Sequence, residues 1–292
     1  MDSALTTVAL PAALAIIMFG LGLALTVDDF RRVAKQPRAV VVALIAQVLL
    51  LPALCFGLVK VFDLEPVLAV GMMLLAASPG GTTANLYSHL FRGDVALNIS
   101  LTAVNSVLAV ITLPILVNFA INHFEPAGAD DLGLQFGKTL QVFAIVLIPV
   151  AIGMLVRRNR PDFSDRAEKP VRIGSAVVLL LVITGTLVAE RENLSDYIAD
   201  VGVIAALFCI CSLAIGYLIP RIVGVTREQA IATSFEVGIH NSTLAIAVAV
   251  SVLDNDTFAV PAAVYSIAMF PLAALAGLVI SRASSTRQPA LG

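Results

Sequence analysis

The sequence predicts an all-α polytopic membrane protein of nine transmembrane helices, two of them interrupted in mid-membrane. Three observations predict it: an apolar composition, nine long apolar runs bounded by charge, and a one-sided distribution of Lys and Arg. Of the 292 residues, 59% are hydrophobic and 13% charged, against about 45–50% and about 25% in soluble domains. The mean hydropathy is +0.97, which leaves too few polar side chains to cover a water-soluble globule of this size. A helix needs about 20 residues to cross the hydrocarbon, so nine runs take roughly 200 positions. The remainder suffices for loops and tails, which excludes a soluble catalytic domain, a dinucleotide-binding unit and a nucleic-acid partner. The chain therefore reads as one transmembrane unit over 1–292.

The runs fall near 5–26, 38–61, 66–90, 95–121, 137–156, 171–189, 198–220, 228–251 and 258–281. The first ends at Asp28, Asp29, Arg31 and Arg32, and Pro37 opens the second. Pro126 and a Gly/Asp cluster from Gly128 to Gly133 mark the loop before the fifth. The longest polar linker, Arg157 to Arg172, holds Pro161 and Pro170. No basic residue precedes Leu5, so a cleavable signal is not expected. Cys55, Cys209 and Cys211 lie inside apolar runs without metal-ligand spacing, and predict neither a disulfide framework nor a metal site.

Loops on one side of these nine crossings carry 15 of the 18 basic residues; only Lys60, Lys138 and Arg191 fall on the other. The positive-inside rule then predicts an external amino terminus and a cytoplasmic carboxyl terminus, in a cell inner membrane.

Two runs depart from a lipid-facing pattern. The third contains Ser78-Pro79-Gly80-Gly81-Thr82-Thr83-Ala84-Asn85. Pro lacks a backbone donor and Gly is a weak helix former, so helix-weakening positions crowd together at membrane depth. Irregular backbone is tolerated there only inside protein or beside a wet cavity. The eighth run contains Glu236, the one acidic residue that no loop can take, followed by Gly238, His240, Asn241, Ser242 and Thr243. A charge at the bilayer centre costs about 2.5–3.5 kcal/mol on insertion scales and marks a functional interior.

The two runs enter from opposite sides and break at about the same depth, near 79–85 and 236–242. Such a pair is the sequence pointer to an inverted-repeat secondary transporter. Each break supplies a half-helix amino end, suited to an anion, and freed carbonyls which with Glu236 suit a small cation. Gln47 in the second run adds a polar residue with no charge within eight positions. In the fourth, Asn98, Thr102 and Asn105 share one face by i, i+4, i+7 spacing, with Ser106 nearby.

At these residues the chain resembles the bile acid/sodium symporter family. The resemblance runs from Ile16-Ile17-Met18-Phe19-Gly20 and Leu23 to Phe30, through Pro79-Gly80-Gly81-Thr82 with Asn85 and Gly93-Asp94-Val95-Ala96-Leu97. It continues through Glu236-Val237-Gly238 with Asn241-Ser242 to Val260-Pro261. It implies inverted five-helix repeats with two broken helices crossing in a core domain beside a panel domain, here without the first helix of ten-helix members. On that template 5–61 and 137–189 are panel-type, and 66–121 and 198–281 core-type. The resemblance further implies a first sodium site at Asn85, Thr102 and Glu236, with Asn98 where Ser is common. A second would use Gln47, Glu236 and the carbonyls of Val237 and Ile239, with His240 in place of a usual Gln. Gly81, Thr82, Asn241 and Ser242 would face the substrate. Ala84 replaces a frequent Ser ligand, and Met269-Phe270 replaces a frequent His-Asn pair.

The expectation is a sodium-coupled symporter of an organic anion, bile-salt-like or a smaller carboxylate or sulfonate, with Na+ as coupling ion and no organic cofactor. Two other readings stand beside it. One is a proton-coupled carrier using Glu236 and His240, since imidazole is a poor ligand for sodium and titrates near neutrality. The other is an intramembrane enzyme with the same two residues as acid and base.

Overall fold

The computed structural model describes residues 15–16, 18–20, 22–23, 26–126, 136–167, 170–171, 173–174, 177 and 194–285, with the backbone alone described at 30 and over 136–147, 194–200 and 283–285. The start of the expected 5–26 span, most of 171–189 and the cluster from Gly128 to Gly133 lie outside them. Every described element is a helix. Four are long and apolar enough to cross a bilayer: Pro37–Val61, Val95–Phe124, Val201–Ile222 and Thr257–Arg282. Leu49, Ile115, Leu218 and Val279 are exposed along them, each more than half accessible. That is the pattern of a surface meeting lipid rather than water.

A short helix, α1 (Val27–Val33), follows the first span where the charged residues suggested a loop. Its start signal is local. The Asp29 carboxylate accepts from both the backbone N–H and the hydroxyl of Thr26, at 2.7 Å each, so first-turn donors are satisfied by a capping box. Helix α2 (Pro37–Val61) is widened by one π-type turn over Ala46–Leu50. Pro52 has no N–H to offer the carbonyl four residues earlier, and the turn preceding it loosens.

The interrupted segments are α3 (Pro66–Ala77) followed by α4 (Thr83–Leu90), and α8 (Arg227–Gly238) followed by α9 (Ser242–Ser251). Helices α5 (Val95–Phe124), α6 (Phe136–Asn159), α7 (Leu194–Ile222) and α10 (Val260–Ser285) complete the described set. Helix α3 is buried on every side, from Leu68 to Ala77, and α7 packs closely on α8. Glycines permit that approach: a Cβ on Gly216 would stand 2.8 Å from the Ser234 Cα, and one on Gly238 2.4 Å from the Leu213 side chain. Helix α2 packs on α3, α5, α7 and α8, so it belongs with the elements around the breaks.

Candidate functional site

The backbone interruptions meet. Ser78 precedes Pro79, whose ring disfavours helical geometry one residue upstream, and Ser78 is extended with ψ 145°. In the second break Ile239 leaves the helix, and the Asn241 side chain caps α9 by accepting from the Leu244 N–H at 3.1 Å. The Gly81 N–H donates to the Ile239 carbonyl at 2.6 Å and the Asn241 N–H to the Pro79 carbonyl at 2.8 Å. Gly80 and His240 thereby form a single antiparallel bridge. Each break supplies partners to the other, as backbone groups far from water require. Gly81 makes the approach possible, since a Cβ there would lie 3.1 Å from the His240 carbonyl oxygen.

Glu236 sits at this junction on the last turn of α8, fully buried. Its carboxylate packs against Gly80 so tightly that a Cβ on Gly80 would come within 2.3 Å of Oε1. Three side chains of α5 donate to it: the Thr102 hydroxyl to Oε2 at 2.6 Å, Asn105 Nδ2 to Oε1 at 2.9 Å and Asn98 Nδ2 to Oε2 at 3.4 Å. Asn98 Nδ2 also donates to the Ala232 carbonyl at 2.8 Å. With their N–H groups so committed, Asn98 Oδ1 and Asn105 Oδ1 are buried without a partner, as is Asn85 Oδ1 on the first turn of α4. Each such orphan costs about 1–3 kcal/mol if nothing answers it. The donor set is one carboxylate with neutral amide and hydroxyl oxygens. Among the described residues no group of three His, Cys, Asp or Glu could hold a metal ion. This chemistry fits a hard monovalent cation better than a divalent or transition metal.

Gln47 and His240 form a second group, joined to the first through the breaks rather than by direct contact. Gln47, brought in by the π-type turn, donates from Nε2 to the Ser78 carbonyl at 2.9 Å. His240 Nδ1 meets the same oxygen at 3.2 Å and must carry its proton there, because a carbonyl only accepts. Gln47 Oε1 and His240 Nε2 are then buried lone-pair atoms without partners. The His240 ring is stacked on Phe208 at 5.3 Å and edge-on to Tyr265 at 5.5 Å. Of the remaining expected ligands, Val237 is buried on α8, and the Ile239 carbonyl already accepts from Gly81.

Of the four expected substrate-facing residues, Gly81 is buried in the bridge and Thr82 is exposed. Asn241 caps α9, and Ser242 Oγ is buried without a partner. Met269 is buried, and the half-exposed Phe270 accepts through its carbonyl from the Tyr87 hydroxyl at 3.0 Å. Three contributors lay outside the expected ligand set. Asn105 was signalled by its place on the polar face of α5. The Ser78 carbonyl was signalled by the proline after it. Tyr265, whose hydroxyl donates to the Gly238 carbonyl at 2.7 Å, had no sequence signal.

Comparison with known proteins decides the family. The model of the sodium bile acid symporter family matches residues 11–197. The chain belongs to the sodium bile acid symporter family. This is a family of transporters, not enzymes, and the acid/base reading of Glu236 and His240 is set aside. The chain is 28% identical over 254 residues to an uncharacterized sodium-dependent transporter, YocS, of Bacillus subtilis (strain 168), covering 87% of this chain and 77% of that one. It is 32% identical over 260 residues to a probable sodium/metabolite cotransporter, BASS1, chloroplastic, of Arabidopsis thaliana, covering 87% of this chain and 62% of that one. With the human ileal sodium/bile acid cotransporter it shares 25% identity over 252 residues, 83% of this chain and 69% of that one. The chain thus spans about three-fifths to three-quarters of the length of these relatives. Within this sodium bile acid symporter family member, the matched region holds the first break and all of α5, while Glu236 lies beyond it.

Proposed function

We propose that the protein is a sodium-coupled symporter of a small organic anion, working by alternating access. The observation that carries this reading is the Glu236 carboxylate, fully buried against Gly80 of the opposite break and bordered by amide oxygens without partners. One negative charge among neutral oxygens balances a monovalent cation. Sodium held by Glu236, Thr102, Asn98 and Asn85 draws the two breaks together. That ordering aligns the amino ends of α4 and α9, whose first N–H groups and partial positive charge attract a carboxylate or sulfonate. Gly81, Thr82, Asn241 and Ser242 border that place. For a second ion, Gln47 Oε1 and the carbonyls of Val237 and Ile239 are the oxygen ligands, with His240 Nε2 as a softer donor.

The architecture in this proposal is nine crossings in two inverted repeats, amino terminus outside and carboxyl terminus cytoplasmic, in the cell inner membrane. The segments 66–121 and 198–281 form a core, and 5–26 and 137–189 a panel. The packing of α2 on α3, α5, α7 and α8 supports moving 38–61 from the panel, where the resemblance grouped it, to the core. The anion is a bile salt or a smaller carboxylate or sulfonate.

A proton-coupled carrier is the second reading, and the unpartnered His240 Nε2 is the observation in its favour. One experiment separates the two. The purified protein is reconstituted in liposomes and uptake of a bile acid and of short carboxylates and sulfonates is followed under a sodium gradient. The symporter reading expects uptake that stops when choline replaces sodium and that Glu236→Gln abolishes in a protein still monodisperse. Sodium-driven uptake by Glu236→Gln refutes it, and uptake in choline that rises on acidification selects the proton.

A further inference from the structure

We infer that Asn105 is a further ligand of the coupling ion and the residue that orients the Glu236 carboxylate. This rests on the sodium reading above and deepens it. The two carboxylate oxygens are held unequally: Thr102 and Asn98 both donate to Oε2, at 2.6 and 3.4 Å, whereas Asn105 alone donates to Oε1, at 2.9 Å. The rotation of the carboxylate plane therefore depends on Asn105. An Asn offers two donors and an acceptor on one rigid planar group. With Nδ2 on Oε1, the other end of the same amide, Oδ1, is buried without a partner in a residue only 2% exposed. A residue needed only to fill space on α5 would be Leu or Val, as its neighbours Val104 and Val107 are. A residue needed only to steady Glu236 would need a donor and no second, unanswered oxygen. A cation next to Oε1 answers that oxygen without disturbing the Nδ2 bond, and it does so with the hard neutral ligand that sodium prefers. Position 105 completes the i, i+4, i+7 row with Asn98 and Thr102, so one helix face supplies several ligands from successive turns.

The test is a sodium titration of the purified protein read by thermal unfolding, with choline chloride holding the ionic strength constant. A ligand that binds the native state raises its stability with the logarithm of ligand concentration, so the half-effective sodium concentration is measurable. Asn105→Leu is expected to need at least tenfold more sodium for the wild-type rise, beyond any fall of its unfolding temperature in choline from the lost bond to Glu236 Oε1. An unchanged sodium response overturns the inference, and so does a loss of stability equal in both salts, which marks a structural residue only. Should Asn105→Leu fail to fold, Asn105→Ser is read on the same titration: a weakened sodium response supports the ligand, and an unchanged one overturns it. A wild-type protein that ignores sodium refutes the coupling-ion reading itself. A wild-type response that survives at position 105 refutes only the role given to Asn105.

Discussion

Replacing Gly80 by Ala places one methyl group against the carboxylate on which the proposed site is built. A Cβ there would stand 2.3 Å from Glu236 Oε1, 2.4 Å from Cδ and 2.7 Å from Oε2. Ordinary contact begins at 3.4 Å, so the carboxylate must withdraw by about 1 Å. The Thr102 and Asn105 bonds, now 2.6 and 2.9 Å, do not both survive that displacement. Losing one bond to a charged group costs about 1.5–3 kcal/mol of stability, and the displaced carboxylate no longer meets an ion at the same place. The backbone itself accepts Ala: among the described glycines only Gly224 has a positive φ, at 79°. The effect is therefore local to the junction around Glu236. Thermal unfolding of purified protein in sodium chloride, against choline chloride of equal ionic strength, is the assay. Wild type is expected to gain stability in sodium and Gly80→Ala to lose most of that gain while remaining helical and monodisperse. Gly57→Ala is the control, since nothing lies within 4 Å of a Cβ there. A Gly80→Ala protein with the wild-type sodium response would refute the placement of the ion at the junction.

Thr102→Val removes the shortest bond to Glu236, 2.6 Å, at nearly constant volume. It is expected to weaken sodium binding at least tenfold by calorimetry, the equivalent of about 1.5 kcal/mol or more; unchanged affinity speaks against the carboxylate as ion ligand. Gly153→Ala probes packing at a position that contributes no group to the site: its Cβ would meet the Phe19 carbonyl oxygen at 2.5 Å and the Gly22 Cα at 2.8 Å. Those are backbone atoms that cannot swing aside, so a cost of about 1–3 kcal/mol is expected. It should lower the unfolding temperature equally in sodium and choline; an unaltered temperature contradicts the close approach of Phe19 and Gly22 to α6.

Much of this arrangement is written in local chemistry. Pro79 forces Ser78 out of the helix, and the side chain of Asn241 caps a new one, so both interruptions have causes within a few residues. Glu236 stands out because it is an acid inside an apolar run, and the polar face of α5 because its spacing follows the helical period. Other features left weaker traces. The charges at 28–32 argued for a loop, although Thr26 and Asp29 already spelled the capping box of α1. Gln47 was visible as an isolated polar residue, but its reach to the Ser78 carbonyl depends on the π-type turn that carries it. Tyr265 is one aromatic residue in an apolar helix, and only its contact with the Gly238 carbonyl gives it a role.

Taken alone, the amino-acid order was enough for the helical class, the membrane environment and the family, because each sums small preferences over many residues. Composition, run length and the motif pair do not depend on where any one side chain points. The tertiary structure decided which break answers which, and which oxygens surround Glu236. Its α5 partners lie 131 to 138 residues away along the chain, and whether they reach it depends on ångström-scale approaches that Gly80, Gly216 and Gly238 permit. Such approaches are properties of packed surfaces, and no single segment contains them.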